Sequence, residues 1–204
     1  MNIQTQFYNA VNNSNLYEAE QLIDRIDVTE NSNLYVITAA RRTDHQMVEL
    51  LLNHGADPTA RSGLALQEAA SKSDDKSLAL LLPYFQDPKW GDLLDKTLET
   101  VSHHHKSFQS NAAVKVVAPY ASEAACTKAM VHAIFFHKSH TVSILTPFIA
   151  PLTVLDLFNT TYSTRLNSYH APVLQALEQL AAAQQKQRIE EHLPTPAISI
   201  LRKL

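Results

Sequence analysis

The chain carries ten histidines in 204 residues, eight of them after residue 100. His103-His104-His105 form a run, and His132, His137 and His140 follow. Imidazole is a good zinc ligand, but zinc needs its ligands to converge on one point. Three consecutive helical residues point about 100° apart and do not converge. A site would therefore combine one histidine of the run with His132, His137 or His140. His137 and His140 are three apart and could share a helix face, yet an inter-helix turn is expected between them. No acid or cysteine stands at metal-ligand spacing, so no metal site is assigned. The other reading of these histidines is a polar turn that titrates near pH ~6.5.

Acid–base catalysis needs paired carboxylates in a cleft. Asp74-Asp75 and Glu190-Glu191 are the adjacent acid pairs. The first reads as a helix cap with its dipole complement, the second as a solvated helix end. Cys126 follows Ala124-Ala125 on a small-residue face and reads as a core cysteine, not a nucleophile. No nucleophile elbow, phosphate loop or dinucleotide fingerprint occurs. The expectation is a chain without catalytic residues or cofactors. The cations Arg41, Arg42, Arg61 and Lys72 are the remaining chemistry. They suit carboxylates, which arginine grips through two parallel hydrogen bonds.

Composition bounds what can hold these groups. A hydrophobic share of 45% supports a core, and a charged share of 18% argues against disorder. Three glycines are too few for a turn-rich sheet protein. No apolar run approaches the ~18 residues of a membrane span. The N-terminal segment has neither a basic start nor an apolar core, so no secretory signal is expected. One cysteine forms no internal disulfide, which suits a reducing compartment. The expected location is cytoplasmic, or a host or target cell reached without a secretory signal. Net charge is −3, too mild to call for nucleic acid. Residues 1–100 carry 15 acids against 8 bases, and residues 101–204 carry 5 against 9.

The elements that must position the cations repeat. Ala39-Ala40 and Leu50-Leu51-Leu52 return thirty residues later as Ala69-Ala70 and Leu80-Leu81-Leu82. A weaker copy precedes them, with Ala10-Val11 and Leu22-Ile23. A period near thirty leaves room for two short helices and a turn, and signals a stacked array. Helices are expected over 2–28 in two pieces, then 34–42, a helix capped by Asp44, then 64–72 and 74–82, with Asp74 as cap. Gly55 fits a left-handed helix end. Thr29 to Asn33 reads as a polar connector. Three Pro-aromatic steps, Pro83-Tyr84, Pro119-Tyr120 and Pro147-Phe148, predict further degenerate pairs over 91–118 and 122–146. Each proline is expected to stop a helix and each aromatic to fold back onto it. Another pair begins over 151–168, a long capping helix covers 170–189, and a tail runs over 194–204.

The stretch Leu50-Leu51-Leu52-Asn53-His54-Gly55-Ala56-Asp57, with the alanine pairs before it, resembles the ankyrin repeat. The likeness is clear over 34–82, fair over 7–24 and faint beyond 84. The family's Thr-Pro-Leu-His opening is Leu34-Tyr35-Val36-Ile37 in one copy and Leu64-Ala65-Leu66-Gln67 in the next. Its glycine before the inter-helix turn is Thr43 and Ser73. The shortened loop from Gly55 to Gln67 is similar to that of the roughly 30-residue variant with stunted fingers. The resemblance implies an all-α, ankyrin-like solenoid of stacked antiparallel helix pairs, with degenerate C-terminal pairs and a capping helix. Its regions are 1–84, 85–193 continuous with the first, and the tail 194–204.

The resemblance also implies non-catalytic protein binding through a concave face, as in an adaptor, an inhibitor or an immunity- or effector-type protein. Carried over, the groove positions are Asn12 and Asn13, Arg41 and Arg42, and Ser71 and Lys72. Connector positions Glu30, Asn31, Asn33, Arg61 and Ser62 sit beside them, and His103 and His104 continue the rim. A groove bearing Arg41, Arg42, Arg61 and Lys72 suits a protein partner with an acidic segment, not nucleic acid and not a membrane. Two other readings stand beside this one: a metal or enzymatic site among the C-terminal histidines, and a nucleic-acid-facing module. The second would show steep salt dependence.

Overall fold

A computed structural model describes residues 2–103, 107–136 and 138–150, together with 153, 182 and 186. The described residues contain ten α-helices and no strand. The elements expected over 151–189 and the tail 194–204 lie outside the described residues, save for the three single positions.

Four of the first six helices begin where a short polar side chain takes up a free backbone N–H. In α1 (Ile3–Asn12), Asn2 accepts from the Gln4 N–H at 3.3 Å. In α2 (Leu16–Leu22), Asn15 accepts from the Glu18 N–H at 3.2 Å and its amide donates back to the Glu18 carboxylate at 2.8 Å. Asp44 caps α4 (His45–Asn53) through the Met47 N–H at 3.1 Å, and Asp74 caps α6 (Asp75–Leu81) through the Ser77 N–H at 3.4 Å. Both aspartates are in the role their sequence position predicts. Between the helices of each hairpin one residue is left-handed: Ser14 at φ 56°, Thr43 at 59° and Ser73 at 51°. The chain thus makes the glycine-type turn without glycine.

The connectors are more ordered than a polar linker. α3 (Glu30–Arg41) and α5 (Ala60–Lys72) each open with three consecutive left-handed residues. These are Asn31, Ser32 and Asn33 at φ 53°, 55° and 60°, and Arg61, Ser62 and Gly63 at 52°, 56° and 72°. Ahead of each turn an aspartate fixes the entry. Asp27 Oδ1 accepts from the Thr29 N–H and hydroxyl at 2.9 and 2.6 Å, and Asp57 Oδ1 accepts from Thr59 at 2.8 and 2.7 Å. Asp87 repeats the bond with the Lys89 N–H at 3.0 Å. The Thr29 and Lys89 bonds hold the Asp27 and Asp87 carboxyls below their ordinary range. Asn33 then reaches forward, and its Oδ1 accepts from the Asp57 N–H at 2.7 Å.

The described contacts divide the chain into Met1–Cys126 and Thr127–Leu204. In the first unit α7 (Gly91–His103) and α8 (Ser107–Val117) complete a fourth hairpin. The helices pack within hairpins and between them: α1, α3, α5 and α7 in one succession, α2, α4, α6 and α8 in another. Phe7 meets Tyr35 edge-on at 4.9 Å, and burial raises the Tyr35 hydroxyl pKa. Val36, Ala39 and Ala40 are buried on α3, and their counterparts Leu66, Ala69 and Ala70 on α5. Met47, Val48 and Leu51 line α4; Leu78 and Leu81 line α6. Leu52, expected inward, is only half-buried. Asp95 of α7 accepts from the Ser122 N–H and hydroxyl, both at 2.7 Å, and the Ser122 hydroxyl accepts from the Ala125 N–H at 3.1 Å. This places the start of α9 (Glu123–Phe135). In the second unit α10 (Ser139–Leu145) buries Val142 and Leu145.

The α-helices α6, α8 and α10 end at Leu81, Val117 and Leu145, two residues before each proline, as expected, but the rings that follow depart from expectation. Pro83, Pro119 and Pro147 lie in the first turn of short 3-10 segments, Leu82–Phe85, Ala118–Tyr120 and Thr146–Phe148, that follow directly on the helices. Lacking an N–H, each proline cannot donate to the carbonyl four residues back, so the α-helical ladder does not continue through it. Two of the three rings do not fold back: Tyr84 and Tyr120 are exposed while Phe148 is half-buried, and the buried residues are Phe85 and Ile149 further on. Among the described residues no helix is long and apolar enough to cross a membrane.

Gly63 is buried, and a Cβ there would lie 2.6 Å from Leu93 Cδ2 and 2.8 Å from Phe85 Cε1. Gly63→Ala should cost about 2–4 kcal/mol, from overpacking plus the left-handed φ, read as a lower urea midpoint with an unchanged slope. Thr43→Gly relieves a β-branched residue in the left-handed region. It should stabilise by up to about 1 kcal/mol, read in the same assay.

Candidate partner-binding row

The first helices of the four hairpins in the first unit end at equivalent points, and the end residues face solvent. Asn13, Arg41, Arg42, Ser71, Lys72 and His103 are exposed and Asn12 is half-buried. Because α1, α3, α5 and α7 pack in succession, these ends recur one helix apart, about 8–10 Å. Arg41, Lys72 and His103 lie in the last turns of their helices. There the unpaired carbonyls carry partial negative charge and favour a cation. Local helix electrostatics alone thus account for basic residues at these points. His103 Nδ1 lies 2.6 Å from the Glu99 carbonyl. His104 lies outside the described residues.

The charge of the row is lower than the sequence suggests. Arg41 Nε and Nη2 donate to Glu68 Oε1 at 3.0 and 2.8 Å. The Glu68 hydrogen bond and charge raise the pKa of the guanidinium still further. Arg61 Nη2 donates to the Asn31 carbonyl at 2.6 Å, tying one left-handed turn to the next. Arg42 and Lys72 remain as exposed cations with no ion pair among the described residues. Of four expected groove cations, one is thus neutralised and one is spent on the backbone.

Asn33 requires a correction. It is 7% exposed and its side chain is committed to the Asp57 N–H, so it holds the connector and is closed to a partner. Glu30, Asn31 and Ser62 are exposed, as expected of rim residues. The Ser62 carbonyl accepts from the Gln67 side chain at 3.0 Å.

Glu68 is the residue that sequence reasoning missed. Its signal was present: position 38 maps to 68 in the thirty-residue register, and 38 lies one helical turn before Arg41. A carboxylate at 68 therefore falls on the helix beside Arg41 and one turn lower, within reach of a long arginine.

The other candidate chemistry stays dispersed. Among the described residues no group of three histidine, cysteine or acidic side chains could hold a metal ion. His132 stacks against Phe136 with ring centres 4.4 Å apart. Cys126 is buried with Sγ 3.8 Å from the Ala118 carbonyl. Burial first, then the charges of Asp95 and Glu123, push its thiol up to about 11. The folded chain keeps this proton where the unfolded chain, with the ordinary value of 9.0, has lost it. That contribution to stability is complete below pH 9.0 and is lost as pH rises through about 11. Cys126→Ala should flatten the decline of the urea midpoint across that window, and the folded thiol should resist iodoacetamide until denaturant is added.

No protein-family model, curated protein or solved structure matches the chain.

Proposed function

We propose that the chain is a non-catalytic protein-binding module, an ankyrin-like solenoid of the short-repeat kind, which captures a protein partner along its exposed first-helix ends. The carrying observation is the recurrence, on helices packed in succession, of solvent-facing polar residues at one equivalent point of each hairpin. Side chains at 12–13, 41–42 and 71–72 differ from copy to copy, whereas the buried pairs beneath them, Ala10-Val11, Ala39-Ala40 and Ala69-Ala70, stay apolar. Chemistry that varies above a fixed scaffold supports recognition.

The scaffold beneath the row is held by hydrogen bonds between hairpins, the Asp57 N–H to Asn33 and Arg61 to the Asn31 carbonyl. Binding to a surface of this kind loses little conformational entropy on the module's side. The contact is with protein, since the row offers two cations without an ion pair among the described residues, too few for the phosphate neutralisation on which nucleic-acid affinity rests.

Tagged full-length chain, used as bait in extract from its native source, should retain a specific protein identified by mass spectrometry. Arg41→Glu combined with Arg42→Glu should reduce that capture at least tenfold, with the circular dichroism melt within a few degrees of the parent. Undiminished capture by the double variant would sink the assignment of the row.

A further inference from the structure

Glu68 sits among the exposed cations of the row, on α5 beside the end of α3. Both described contacts from Arg41 fall on a single oxygen of its carboxylate, Oε1, at 3.0 and 2.8 Å. A guanidinium matches a carboxylate best when two N–H groups meet two oxygens in parallel. Glu68 is tethered to the neighbouring helix, and its pairing is not that fork. The Arg41 side chain is 52% exposed and that of Glu68 21%. The arginine is therefore open to a second carboxylate arriving from solvent. An ion pair this exposed is worth little to the fold. Next to it Arg42 and Lys72 occupy equivalent points of successive hairpins and carry no ion pair among the described residues.

We propose that Glu68 is a built-in stand-in for a carboxylate of the partner: an acidic peptide segment displaces it from Arg41, forming the two-oxygen fork, while Arg42 and Lys72 hold neighbouring carboxylates. The inference rests on the protein-binding reading and supplies the partner's chemistry. The tethered carboxylate lowers affinity for stray anions and admits ligands that bring several carboxylates at once. The surrounding charge opposes unselective attraction, since residues 1–100 carry 15 acids against 8 bases. Any pull on an acidic segment must come from the row itself.

The test uses the full chain and fluorescein-labelled hexaglutamate, read by fluorescence anisotropy at low salt. Glu68→Gln should tighten binding about fivefold, in line with one charge-assisted pair set free. Glu49→Gln makes the same change in net charge on the exposed face of α4 and should leave binding unchanged. Arg42→Gln with Lys72→Gln should weaken it about tenfold, and Arg41→Lys in the Glu68→Gln background should remove the gain, because lysine cannot form the fork. Equal tightening by Glu49→Gln and Glu68→Gln, no response to Glu68→Gln, or no binding by either form overturns the proposal. So does a single-stranded oligonucleotide of equal charge that binds more tightly than the peptide. Capture of a native partner through a neutral or basic segment overturns the acidic assignment and leaves the protein-binding reading standing. Hexaglutamate binding that responds to Glu68, with no protein retained from extract, upholds the charge chemistry and sinks the protein-binding reading.

Discussion

Helices of seven to thirteen residues cannot stand alone in water, and every other property of the first unit depends on how they cover one another. An isolated hairpin leaves one face of its alanines, valines and leucines wet. Burying a large apolar side chain contributes about 1.5–3 kcal/mol, and the burial here comes from the neighbouring hairpin as much as from the hairpin's own second helix. Ala39, Ala40, Ala69 and Ala70 matter because they are small: each is at most 1% exposed, and they allow α3 and α5 to approach closely. Stability of this kind is a sum over neighbours and is shared along the row.

That dependence explains the investment in connectors. A hairpin covers the next one only if the chain re-enters at a fixed height and angle. The Asp27 and Asp57 turns, the left-handed triplets, the Asn33 bond to the Asp57 N–H and the Arg61 bond to Asn31 all act on this one variable. Non-glycine residues in the left-handed region cost energy, about 1–2 kcal/mol each. The structure holds five of them in the two triplets alone. Packing across the hairpins offsets that cost, and Gly63 marks the point where Phe85 and Leu93 come too close for any side chain.

Much of this was legible in the sequence. The alanine pairs, the caps Asp44 and Asp74, the left-handed end at Gly55 and the helices over 91–118 and 122–146 all follow from local patterns whose physical cause is local. What escaped depends on neighbouring hairpins. Asn33 reads as one more polar connector residue, and nothing adjacent in sequence shows that its partner lies 24 residues on. Glu68 reads as a solvated acid until the thirty-residue register is laid over the helical turn. Tyr84 and Tyr120 were misplaced because a Pro-aromatic step carries the same letters whether the ring turns inward or outward. The 3-10 geometry that decides the matter is set by the buried residue that follows. Asp27, Asp57 and Asp87 stand at an unbroken spacing of thirty and were the strongest signal left unused.

The triplets at 31–33 and 61–63 leave no slack between hairpins. A single inserted residue in either would slide Asn33 off the Asp57 amide, or Gly63 out from under Phe85, and every contact downstream would fall out of phase with it. The chain can therefore vary at these joints by exchanging one residue for another, but it can change its length there only by gaining or losing whole hairpins. Lengthening by duplication of a complete unit is the route the architecture leaves open.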